Sequence, residues 1–155
     1  MFSLLRNGAL LGLGLMAMTS ALCSQDEETK VVKATVKVTP SKMEGTQDLT
    51  LTLDIATPFH IYANPVGLED LENVQTSIKV GGKTPPKSVK ADFPKGKLVK
   101  DKLVGDHYIY EGKIVIPVKV VRAEGDKGPL DITIKYQACD EKRCLAPSSI
   151  KIELK

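Results

Sequence analysis

The sequence predicts an all-β protein, an immunoglobulin-like antiparallel β-sandwich. Three observations carry this reading. Apolar and polar residues alternate with period two through seven segments, turn-forming residues separate those segments, and no stretch has a helical period long enough for a crossover helix. Successive side chains of a strand point to opposite faces, so each alternating segment has one side for a core and one for water. Strands without crossover helices pair antiparallel and pack as two sheets.

In chain order, Val32, Ala34, Val36 and Val38 share one face, opposite Lys33, Thr35 and Lys37. Leu49, Leu51, Leu53 and Ile55 repeat the pattern against Thr50, Thr52 and Asp54. Then come Val74-Thr76-Ile78-Val80, Val89-Ala91-Phe93 and Ile114-Ile116-Val118-Val120. The cleanest alternations close the chain, at Leu130-Ile132-Ile134-Tyr136 and Ile150-Ile152-Leu154. Turn chemistry at Pro40-Ser41, Gly81-Gly82, Pro85-Pro86, Pro94-Lys95-Gly96, Gly125-Asp126 and Gly128-Pro129 divides them. Leu68 to Asn73 is briefly helical in character. Pro117 lacks an N–H for a ladder, which puts its strand at a sheet edge or at a bulge.

Residues 1–24 read as a secretory signal peptide: one basic residue (Arg6), the apolar run Ala9 to Met18, then small and polar residues. The run is short for a membrane span. Cleavage fits after Ala21, Cys23 or Ser24. Cys23 is either a lipid-attachment cysteine, with Leu22 bulky where such signals want a small residue, or a cysteine lost with the leader or left at the mature N-terminus. Membrane association is expected only with lipidation at Cys23. The remaining 25–155 form one domain of about 130 residues, large enough to bury a core without metals. It is expected to be monomeric and exported to the periplasm or cell envelope. Without Arg6, its 21 basic and 19 acidic residues are interspersed, which argues against nucleic acid as a partner.

With Cys23 set aside, Cys139 and Cys144 form an even pair in a compartment that permits disulfides. They lie in YQACDEKRCLAP, between the last two strands, and pairing of those strands would bring them within bridging distance. A ring this small stabilises by roughly 2 kcal/mol through loop entropy, so it is a weak staple. Asp140 and Glu141 disfavour a thiolate while Lys142 and Arg143 favour it, and the two influences roughly cancel. The spacing is also not that of thioredoxin-like motifs. Residue chemistry alone leaves a structural staple and an exchangeable disulfide both open.

Tyr136-Gln137-Ala138-Cys139, four residues, Cys144 and then Pro147 before a closing strand resembles the active-site hairpin of the N-terminal periplasmic domain of thiol:disulfide interchange protein DsbD. Phe59-His60-Ile61-Tyr62 resembles that family's aromatic strand, and Lys100 to Ile116 its cap-loop region and following strand; the similarity runs through the whole mature chain. The resemblance implies an immunoglobulin-like electron carrier without a cofactor. Its partners would be thioredoxin-fold proteins, one a reductant and the other an oxidised substrate such as a disulfide isomerase or cytochrome c maturation factor. It implies Cys139 and Cys144 as the redox pair, with Cys144 forming the mixed disulfide and Cys139 resolving it. Tyr62, Tyr136 and His60 would line the pocket, with Leu103 and Val104 as its cap. This chain departs from the family pattern in having one residue fewer between the cysteines and an aliphatic Leu103 where a phenylalanine covers the disulfide. It also ends at Lys155, without the transmembrane conduit or thioredoxin-like domain of full-length relatives, so a separate reductant is expected.

Two readings from other classes stand beside this one. The first is a binding or assembly module whose hairpin disulfide is permanent. The second is a metal-handling protein using the cysteines with His60 or His107, for zinc or copper. No close His/Cys ligand spacing supports a metal, and none is expected. No nucleophile elbow or phosphate loop is present, and Glu69-Asp70-Glu72 reads as a solvated loop.

Overall fold

The computed structural model describes residues 31–155, and the leader reading of residues 1–24, Cys23 included, lies outside them. Eleven strands follow in order: β1 Val32–Pro40, β2 Thr46–Ile55, β3 His60–Tyr62, β4 Ser77–Gly82, β5 Ser88–Ala91, β6 Lys97–Val99, β7 His107–Glu111, β8 Lys113–Val121, β9 Leu130–Tyr136, β10 Ala138–Cys139 and β11 Ser148–Leu154. A single 3-10 turn, Glu69–Leu71, falls inside the segment of helical character. The strands pair antiparallel in three ladders, β1-β2-β8-β5, β10-β3-β7-β6 and β11-β9-β4. The fold is an immunoglobulin-like β-sandwich, as the sequence predicts.

Alternation builds the core. Leu49, Leu51, Leu53 and Ile55 of β2 are buried in one cluster with Ile116, Val118 and Val120 of β8 and Leu130, Ile132, Ile134 and Tyr136 of β9. The β10-β3-β7-β6 ladder has a different construction, with both faces covered. Ile61, Ala63, Tyr110 and Ala138 join the main core. Their neighbours Tyr62, Ile109 and Cys139 turn the other way and join Val66 in a second, smaller cluster. The period of two thus places Cys139 and Tyr62 on the same outer face.

Three local expectations need correction. Pro117 is neither at an edge nor at a bulge: β8 lies between β2 and β5, and its register with β2 runs unbroken from Thr46↔Val121 to Asp54↔Lys113. The proline is tolerated because β5 stops at Ala91↔Val118, so its missing donor falls just beyond the β5 ladder, where its carbonyl accepts the Asp92 N–H at 2.8 Å. Val74 lies outside β4, because its N–H closes onto Leu71 O at 3.1 Å in the turn after the 3-10 segment. Gly81 and Gly82 are not a turn but the end of β4, paired with Asp131 and Leu130. Gly96 is required for packing: a Cβ there would lie 2.7 Å from Ala63 Cβ and 2.8 Å from Tyr108 Cβ.

Candidate functional site

At Tyr136 the chain leaves the β9–β11 ladder, whose register begins at Ser148↔Tyr136. It crosses to β3, where Ala138 pairs with Ile61 and Cys139 with His60. Residues 140–143 then turn back on a side-chain scaffold. Asp140 Oδ1 accepts the N–H groups of Lys142 at 2.7 Å and Arg143 at 2.9 Å. The Asp140 N–H donates to Arg143 O at 2.9 Å, and the Leu145 N–H donates to Ala138 O at 2.8 Å. The Lys142 and Arg143 amides hold the Asp140 carboxyl below the usual carboxylate range. The result is an antiparallel bridge of Cys139 and Cys144, with Cα atoms 3.9 Å apart and the sulfurs joined in a disulfide. The strand pairing anticipated from the sequence is therefore present.

The two sulfurs have unequal surroundings. Cys139 is 2% exposed and packs with Tyr62, Val66 and Ile109, whereas Cys144 is exposed. The Tyr62 hydroxyl lies 3.7 Å from Cys144 Sγ. A disulfide sulfur carries no proton, so the hydroxyl is the donor. Burial, then the Asp101 carboxylate, pushes the Tyr62 hydroxyl above its usual range and preserves that donor. The Tyr62 backbone is pinned as well: its carbonyl accepts Thr76 Oγ1–H at 2.6 Å and the Thr76 N–H at 3.0 Å.

Both histidines flank Tyr62 edge-on, His60 with ring centroids 6.5 Å away and His107 at 5.7 Å. His107 is buried, and its Nδ1 lies 2.8 Å from Gly105 O. A carbonyl only accepts, so Nδ1 carries the proton. His60 is half-buried, and burial lowers its pKa from the ordinary 6.5; Glu111 and Asp140 oppose that shift, while His107 and Lys97 reinforce it.

The expected cap takes a different position. Asp101 Oδ1 accepts the N–H groups of Leu103 at 2.7 Å and Val104 at 3.0 Å, closing a turn that points both side chains outward. Leu103 is 97% exposed, so it covers nothing, and Val104 is 50% exposed. Tyr136 belongs to the main core. The fold therefore brings Cys139, Cys144, Tyr62 and His60 together and leaves Leu103 in solvent. Sequence reasoning missed Val66, Ile109, the Asp101 turn and the placement of His107. The D-x-x-x-G of Asp101 to Gly105 was a readable turn signal, but nothing in the sequence marked His107 as a partner of Tyr62.

Among the described residues no three His, Cys, Asp or Glu side chains group as a metal site would need. A cleft of about 740 Å³ lies at the far end of the β2–β8 ladder, near Thr46, Val121 and Arg122, away from the disulfide. The Arg122 guanidinium is already bound there to Asp126 at 3.0 Å, Gln47 at 2.9 Å and Gly128 O at 2.8 Å.

An immunoglobulin-like sandwich with a disulfide across its last hairpin, one sulfur buried and the other open, defines a domain with a disulfide-capable cysteine pair. The chain belongs to the family of the N-terminal domain of thiol:disulfide interchange protein DsbD, whose model matches residues 27–155. The N-terminal periplasmic domain of ScsB from Proteus mirabilis superposes with TM-score 0.63 at 15% identity, over 83% of this chain and 47% of that one. This chain thus spans about half the length of that ScsB structure. The complex between the DsbD N-terminal and PilB N-terminal domains from Neisseria meningitidis gives 0.51 at 16% identity, over 77% and 80%. The reduced Neisseria meningitidis DsbD N-terminal domain gives 0.48 at 18%, over 69% and 75%. No curated protein sequence matches the chain.

Proposed function

We propose that this is an exported thiol:disulfide interchange domain, relaying reducing equivalents between thioredoxin-fold proteins through Cys139 and Cys144. The observation that carries the reading is the unequal exposure of the two sulfurs. Family membership supports it, as does the association of a related DsbD N-terminal domain with a second domain, that of PilB. In the electron-donating direction, the Cys144 thiolate attacks a sulfur of the partner's disulfide and forms a mixed disulfide. The Cys139 thiolate then attacks Cys144 Sγ, and the partner sulfur departs with the electron pair. Two electrons leave the dithiol and reduce the partner. Reduction of the domain runs the same steps in reverse.

Each side chain has a role that follows from its place. The exposed Cys144 can meet a partner sulfur, which needs in-line access. Cys139, facing it across one bridge, is held at high effective concentration for the resolving step. The Tyr62 O–H stabilises negative charge developing on Cys144 Sγ. The Cys139 side, covered by Val66 and Ile109, is closed to stray thiols.

Alkylation and mass spectrometry across a thiol redox series give the reduction potential of the pair. An exchangeable bond should titrate above about −300 mV. A clearly lower potential would mark a permanent staple, and a binding or assembly role would replace electron transfer.

A further inference from the structure

Resolution of a mixed disulfide requires a thiolate at Cys139, yet that sulfur is 2% exposed and set among Tyr62, Val66 and Ile109. An apolar setting disfavours a thiolate, and burial denies water the proton. The proton therefore needs an acceptor on the same face with an outlet to solvent. The register supplies one residue of that kind. Cys139 is paired directly with His60 across β10 and β3, and His60 with Glu111 across β3 and β7. Directly paired residues point to the same face, with Cβ atoms about 5 Å apart. Cys139, His60 and Glu111 thus form one row across three strands, and the half-buried imidazole lies between a buried thiol and an exposed carboxylate.

The alternatives are placed less well. His107 has Nδ1 committed to Gly105 O and sits on β7, two strands from Cys139. The Tyr62 hydroxyl is directed at Cys144. Asp140 Oδ1 is engaged by two turn amides.

We infer that His60 is the general base that takes the proton from Cys139 as this cysteine closes the disulfide, an inference that rests on the exchange reading above. The Cys139 S–H proton passes to an imidazole nitrogen of His60, and the sulfur's electron pair forms the bond to Cys144 Sγ. The bond from Cys144 to the partner sulfur breaks, and its electrons leave with the partner as a thiolate. His60 then releases the proton to water. Glu111, ion-paired with Lys97 at 2.8 Å, adjusts the basicity of the imidazole, as do His107 and Asp140.

The probe is the aromatic disulfide 5,5′-dithiobis-(2-nitrobenzoate), mixed with the reduced protein in a stopped-flow instrument. Attack by Cys144 releases one thionitrobenzoate, and closure by Cys139 releases the second. The second phase should slow as pH falls through the His60 titration, below the ordinary 6.5. His60→Gln should slow that phase about tenfold or more and remove the inflection, leaving the first phase intact. Glu111→Gln, an exposed change that carries the test if His60→Gln does not fold, should move the inflection to lower pH, because the lost carboxylate stabilised the imidazolium. An unchanged second-phase profile in both variants overturns the role of His60 while leaving exchange standing. Failure of the wild type to release the second thionitrobenzoate overturns the exchange reading itself, and the role of His60 with it.

Discussion

On one face of the β10-β3-β7-β6 ladder, Ile61, Ala63, Tyr110 and Ala138 join a core that runs through the whole sandwich. On the other face, Tyr62, Ile109 and Cys139 join only Val66, with Leu71, Val74 and Val99 partly buried around them. The first side is apolar, and dispersion and the hydrophobic effect hold it together. The second is thin and mixed: its geometry depends on hydroxyl, imidazole and carboxylate hydrogen bonds to backbone groups. One ladder thus separates a face packed into the main core from a face that carries a disulfide with one sulfur buried and the other open. The small cluster shelters Cys139 without covering Cys144.

Substitutions on the two sides should separate stability from chemistry. The largest expected loss of stability comes from Leu51→Ala, a fully buried side chain on the core side. Truncating such a residue costs about 2–5 kcal/mol. Urea denaturation should show that loss, with the thiol exchange rate of the remaining folded protein unchanged. A fall in both together would mean that the two regions are not separable.

On the other side, Tyr62→Phe keeps the ring between the histidines and removes only the donor to Cys144. Its stability cost should be about 1 kcal/mol or less. Attack by the Cys144 thiolate on a small disulfide should slow about fivefold, equivalent to about 1 kcal/mol of charge stabilisation. Stopped-flow kinetics would show it, and an unchanged rate would remove the hydroxyl from the mechanism.

The two aspartate-closed turns should respond to acid. The carboxyls of Asp101 and Asp140 lie below the ordinary 3.8 because turn amides bond their charged forms. A depressed folded value means that the turn's contribution is fully present above 3.8 and lost as pH falls through the lower folded values. Amide resonances of Leu103 and Arg143 should shift together below pH 3.8, while that of Leu51 stays constant. Movement already near neutral pH would show that the carboxylates do not hold the turns.

The smallest effect is expected from Leu103→Ser. A side chain 97% exposed contributes little, so stability should change by no more than about 0.5 kcal/mol. Reduction of the disulfide by a small thiol should be equally fast in both proteins. Faster reduction in the variant would restore Leu103 as a lid.

These expectations also mark what the sequence made legible. The core could be read because period two is a local property: Leu49 to Ile55 and Leu130 to Tyr136 carry their burial in their own spacing. Strands β6 and β10, of three and two residues, are too short to show a period, and their pairing depends on partners distant in the chain. The cysteine pair was visible in its count and spacing, and Tyr62 through motif resemblance. The difference in exposure between Cys139 and Cys144 was not, since it arises only when β10 peels away from β9 to join β3. The Cys139-His60-Glu111 row was hidden for the same reason, because register between strands is set by the assembled sandwich. The cap was misplaced because the Asp101 hydrogen bonds, not the size of Leu103, decide where that turn points.

The most direct test of the central claim asks which sulfur meets the partner. Reduced Cys139→Ser and Cys144→Ser proteins would each be mixed with an oxidised thioredoxin-fold protein, and adducts identified by non-reducing electrophoresis and mass spectrometry. The account predicts a stable mixed disulfide through Cys144 in the Cys139→Ser protein and none in the Cys144→Ser protein. Adducts through Cys139, or equal trapping by both variants, would contradict it.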